Sequence, residues 1–135
     1  MNKIIVLLVA IVNLALQNLD ASYVYGCAGP TYFDCSGLPY YCYLEIADIE
    51  LPRSAYEQGY CDDYLKIETV NELQLGDLVF FNTESDGDLC DHSGIYLGNR
   101  EFVHASSTRG KVIISEIEDN YYEQQFSWGR RILSD

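Results

Sequence analysis

Basic residues, histidine and proline are the scarce components of this chain, with eight Lys and Arg, two His and three Pro among 135 residues. No basic run exceeds Arg130-Arg131, and the formal net charge is −13. That excludes nucleic acid as a partner, because affinity for phosphates comes from clustered cations. The same deficit leaves adhesion to anionic surfaces without a basis, so the acidic excess reads as a solubility device. No apolar run reaches the roughly 20 residues that a comfortable membrane span needs. The five cysteines contain no C-x-x-C pair and no zinc-type spacing, so neither metal nor cofactor is expected. Repeats and low-complexity tracts are also missing, which leaves one domain.

What is present is an ordinary globular composition, 48% apolar and 21% charged, enough for a single core without staples. Twelve tyrosines fit either buried rings with satisfied hydroxyls or a cleft for peptide or glycan. Met1-Asn2-Lys3 followed by Ile4 to Val12 has the basic-then-apolar order of an export signal, with candidate cleavage after Ala10, Ala15 or Ala21. Residues 11 to 19 also read as an amphipathic helix. The expected organisation is therefore an N-terminal apolar segment over 1–10, overlapping the first helix, and one domain over 11–135. A secreted or extracytoplasmic monomer is expected. If Cys35 is a free nucleophile, Cys27, Cys42, Cys61 and Cys90 remain either for two disulfides or as structural thiols.

Along the chain, Asp34 stands where a helix would begin, and Ser36 to Asp48 has a helical pattern. Asp as N-cap would place Cys35 at that helix's N-terminus. A shorter helix follows Ser54 and stops at Gly59. Strands are expected at 65–67, 78–81, 93–97, 101–105, 112–114 and 126–132, with Gly98-Asn99-Arg100 as a hairpin turn. Helices first and an antiparallel meander of five to six strands afterwards argue for an α+β fold.

The two histidines, His92 and His104, lie on either side of that hairpin turn. Folding back brings them within a residue or two of facing each other, close enough for one imidazole to orient the second. With Cys35 they form the minimum set for thiolate acyl transfer: nucleophile, base, orienter. The helix N-terminus and a nearby imidazolium would lower the thiol pKa. The bland alternatives are a small buried cysteine with two structural histidines, or a Cys/His/His metal site.

Six ordered segments carry a resemblance. They are Tyr23-Val24-Tyr25-Gly26, Phe33-Asp34-Cys35-Ser36-Gly37-Leu38, Leu51-Pro52-Arg53-Ser54, Leu75 to Phe81, His92 to Gly98, and Phe102-Val103-His104-Ala105-Ser106. Together they resemble the NlpC-type cysteine peptidases of bacterial-type cell walls, within the papain-like group. The resemblance implies Cys35 as nucleophile, His92 as general base and His104 as the polar third member. It also implies that Tyr23 lends its hydroxyl to an oxyanion hole beside the Cys35 amide, and that Asp34 and Ser36 line the cleft or brace the turn. The implied substrate is the peptidoglycan stem peptide, cut between γ-D-glutamate and a diamino acid such as meso-diaminopimelate. An N-acetylmuramoyl-L-alanine amidase, an acyltransferase and a non-catalytic wall-peptide-binding module are the alternatives on the same scaffold. Three positions depart from the family pattern: Cys27 replaces a glycine, Pro39 a valine after the nucleophile, and Ser93 the valine beside the base. Pro39 is expected to distort the first turn, because it cannot donate to the Cys35 carbonyl.

Overall fold

A computed structural model describes residues 2–118 and 120–134. Asn2 caps α1 (Lys3–Gln17), its side chain accepting from the Ile4 N–H. The apolar N-terminal stretch and the amphipathic stretch are thus one continuous helix, which buries Ile11, Val12 and Ala15. No helix among the described residues is long and apolar enough to cross a membrane. Next come α2 (Gly37–Ala47) and α3 (Ala55–Gly59), the latter closed by a capping box between Ser54 and Glu57. Six strands follow: β1 (Leu65–Ile67), β2 (Leu78–Phe81), β3 (His92–Gly98), β4 (Glu101–Ser106), β5 (Lys111–Glu116) and β6 (Phe126–Arg131). A one-turn helix, α4 (Asn120–Glu123), precedes β6.

The six strands form one antiparallel sheet, as the α+β reading expects, in the order β1-β6-β2-β3-β4-β5. Only β2 to β5 make a meander. The last strand returns to sit between β1 and β2, which corrects the simple meander expected from chain order. The reason lies in β2, whose four residues Leu78-Val79-Phe80-Phe81 are all buried. A strand buried on both faces belongs inside a sheet with partners on both edges, and β6 supplies the second partner.

The faces divide the core by the period-two rule. Leu78, Phe80, Ile95, Val103 and Ala105 pack against α1 and α2, where Ile11, Val12, Leu38 and Tyr43 meet them. Val79, Phe81, Tyr96 and Phe102 face the other way, toward Ile67, Leu73 and Ile117. The β3–β4 hairpin closes through Asn99 and Arg100 at φ 54° and 62°, the signature of a two-residue type I′ turn. That turn, together with a one-residue register shift between Tyr96 and Gly98, fixes how far along each strand the histidines fall.

Candidate active site

The Cys35 segment is a turn ahead of α2 rather than the first turn of the helix. Ser36 occupies the N-cap at φ −81° and ψ −20° and makes no side-chain cap bond. Asp34, expected as the cap itself, acts from farther back: its Oδ1 accepts from the Gly37 N–H at 2.7 Å. Its carboxylate also accepts from the Gly26 N–H at 3.0 Å and from the Ser36 hydroxyl at 3.4 Å. Arg53 closes on both its oxygens, at 3.1 and 2.8 Å, the two-point geometry a guanidinium makes with a carboxylate. A Cβ on Gly37 would collide with the Cys27 carbonyl oxygen and with Asp34, so only glycine permits this tight turn.

Pro39 lies in the first turn of α2 without breaking it. Leu38 N–H bonds Asp34 O at 3.3 Å and Tyr40 N–H bonds Ser36 O at 3.1 Å, so the ladder runs regularly on both sides. The expected distortion does not occur. The Cys35 carbonyl receives instead the Ser93 hydroxyl, at 3.3 Å.

The imidazoles meet as the hairpin argument requires, with an offset. The pairs Ile95↔Val103 and Tyr96↔Phe102 place Gly94, rather than His92, opposite His104 when the register is extended. A Cβ on Gly94 would press on His104 Cβ at 3.1 Å. His92 therefore reaches diagonally across the face that Gly94 leaves open, and its Nε2 lies 2.8 Å from His104 Nδ1. His104 Nε2 in turn lies 2.8 Å from Ser115 Oγ on β5. His104 is fully buried and packs against the Phe102 and Tyr122 rings, 4.5 and 5.5 Å between centroids.

Cys35 and His92 line one open cavity of about 680 Å³, together with Tyr23, Asp34, Ser36, Arg53 and Tyr56. Among the described residues the Cys35 thiol makes no side-chain hydrogen bond, and all five cysteines are unbridged. Burial pushes the Cys35 thiol up to about 11, against a smaller opposing pull from hydrogen bonding by the Ser93 and Ser36 backbones. Burial also pushes His92 down to about 4, and burial plus the neighbouring His92 push His104 down to about 2. Both shifts favour the neutral forms, thiol and imidazole. The expected depression of the thiol pKa by the helix end is overridden by desolvation. Tyr23 is raised too, by burial first and then by Cys35 and Asp34. Among the described residues no group of three or more His, Cys, Asp or Glu is arranged to hold a metal ion.

Three contributors went unassigned in the sequence: Arg53, the Ser93 hydroxyl and Ser115. Arg53 was visible within Leu51-Pro52-Arg53-Ser54 but carried no role there. The two serines had no local signal, since their partners lie 58 and 11 residues away in sequence.

A model described as the NlpC/P60 family matches residues 20–131. The chain is 37% identical over 123 residues to Murein DD-endopeptidase MepH of Escherichia coli K12, covering 90% of this chain and 45% of that protein. It is 35% identical over 127 residues to Gamma-DL-glutamyl hydrolase of Bacillus subtilis 168, covering 93% of this chain and 30% of that one. The chain thus spans half the length or less of these curated relatives. Among solved structures, NlpC2 from Trichomonas vaginalis superposes with a TM-score of 0.82 at 31% identity, covering 93% of this chain and 46% of that one.

Proposed function

This chain belongs to the NlpC/P60 family, and from that premise we propose that it is a cysteine peptidase hydrolysing peptidoglycan stem peptides. The observation that carries the reading is the His92–His104 contact at 2.8 Å, with His92 on the wall of the cavity that Cys35 also lines. With Nε2 engaged by His104, Nδ1 is the nitrogen of His92 left to take the thiol proton. Nε2 then carries the other N–H and donates to His104 Nδ1. His104, protonated on Nε2, donates to the Ser115 oxygen. One tautomer per ring thus runs along the row and leaves a base at its open end.

The steps follow from that proton inventory. His92 accepts the Cys35 proton as sulfur adds to the scissile carbonyl, and the oxyanion forms against the Tyr23 hydroxyl and the Cys35 N–H. Collapse breaks the C–N bond, and His92 returns the proton to the departing amine. The thioester then yields to water, whose proton passes to His92 and finally to the leaving thiolate. Ionisation at the moment of attack, rather than a standing thiolate, matches the neutral forms that both shifts favour.

The bond assigned is the γ-D-glutamyl link to a diamino acid, which the name of the Bacillus subtilis relative supports. The name of MepH favours a second reading, the D,D cross-link between stems. Defined muropeptides separate them, since each cut yields fragments of different mass. An N-acetylmuramoyl-L-alanine product would reassign the enzyme as an amidase. A wall substrate also calls for export. Of the three candidate cleavage points, only that after Ala10 spares the buried Ile11, Val12 and Ala15. Replacing Cys35 by Ala abolishes fragment release from purified sacculi; undiminished release by that variant sinks the proposal.

A further inference from the structure

The gap in the α2 ladder and the hydroxyl that fills it belong to two of the positions where this chain departs from its family. Leu38 and Tyr40 both bond four residues back, to Asp34 and Ser36. The rung between them would run from residue 39 to the Cys35 carbonyl, and Pro39 has no N–H to give. Ser93 Oγ stands at that carbonyl instead, at 3.3 Å, from a residue 58 positions away. Ser93 is completely buried, and this is the bond that satisfies its hydroxyl. We propose that Ser93 is a positioning residue whose hydroxyl replaces the backbone donor that Pro39 lacks, tying the peptide of the nucleophile to the strand that carries the base.

The exchange changes more than a hydrogen-bond count. A helical donor at position 39 would hold the Cys35 carbonyl from within its own segment. The Ser93 hydroxyl holds it from β3, one residue from His92. The strand direction sends Ser93 to the helix face and His92 to the opposite face, so one short stretch of β3 addresses the nucleophile's backbone and the proton relay together. The Ser93 backbone also acts on the Cys35 thiol, which gives the sulfur a second dependence on the same residue. Were the serine merely satisfying its own hydroxyl, it would have no need of the proline. The pairing therefore predicts that Ser93 becomes replaceable only once position 39 again carries an N–H.

The inference rests on Cys35 as the nucleophile, and a double-mutant cycle tests it apart from that reading. The proteins are S93A, P39A and P39A/S93A beside the unsubstituted chain. Sacculus hydrolysis, melting temperature and the pH midpoint of iodoacetamide alkylation at Cys35 (by peptide mass) are the three measurements. S93A leaves a buried carbonyl without its donor, so hydrolysis falls about tenfold and the alkylation midpoint rises. P39A alone stays within about twofold, because it restores the N–H where Ser93 already serves. In P39A/S93A the restored rung takes over, and rate and midpoint return to within about threefold of the unsubstituted protein. An S93A protein that cannot fold, but folds again with P39A, supports the pairing equally. Full activity in S93A overturns it, and so does a double variant as impaired as S93A or worse. Should C35A hydrolyse sacculi normally, the peptidase reading fails; the melting and alkylation cycle still decides the pairing.

Discussion

The two halves of the site are wired differently. The turn that holds Cys35 is a parallel arrangement, in which one carboxylate, Asp34, takes donors from Gly26, Gly37, Ser36 and both arms of Arg53. The imidazole row is a series, with His92, His104 and Ser115 each supplying one link inside an aromatic enclosure. Parallel ties share a loss among the survivors. A series passes every loss to its end, and here the end is His92, the proposed base.

That contrast sets an order of effects. His92→Ala lowers kcat/KM by roughly a thousandfold or more, and adding Cys35→Ala lowers it little further, because the two act as a unit. Steady-state rates on a defined muropeptide measure both. The parallel half is tested by its hub and one spoke. Asp34→Ala costs about 2–3 kcal/mol of stability, since it strands the Gly37 and Gly26 amides together with the Arg53 guanidinium. Arg53→Ala costs about 1 kcal/mol or less, because the carboxylate keeps its other donors and the arginine is partly solvated. Equal losses in denaturant titrations of the two variants break the comparison. Smaller again is Ser115→Ala, expected to slow turnover about twofold with little change in melting temperature. Only the last tautomer-setting partner goes, and it sits at the half-exposed end of the row.

The pH response is the gentlest test. His92 and His104 have folded pKa values below the usual imidazole value. They therefore contribute stability that is complete above pH 6.5 and is lost as pH falls through about 4 for His92 and about 2 for His104. The Cys35 thiol is shifted the other way, so its contribution is complete below pH 9.0 and is lost as pH rises through about 11. Activity should hold a broad plateau between those limits. An alkaline limit well below 11 would show instead a standing thiolate–imidazolium pair, whose imidazolium loses its proton first.

Much of this was written in the sequence, for identifiable reasons. Strand positions came from period and turn chemistry, and β2 (Leu78–Phe81) matches its expected bounds to the residue. The His92–His104 meeting followed from counting back from Asn99, because a two-residue turn leaves little freedom. What local pattern could not supply was anything decided across the sheet. The seat of β6 depends on β2 needing two neighbours, and the role of Ser93 depends on a carbonyl 58 residues away. Asp34 was recognised as a capping residue but set at the wrong distance, since Gly37 lets the chain turn once more before the helix begins. The thiol's raised pKa was missed for a different reason. Position at a helix end is visible in a sequence, whereas the depth of burial that outweighs it is not.

The seating of β6 has a consequence for how the molecule comes into being. A strand made after β5 must slot between two made earlier, so β2 waits on the ribosome with one flank bare and four apolar side chains behind it. The nascent chain carries that sticky ribbon for the whole interval between residues 81 and 126, which is the stretch where a holding chaperone has most to shield.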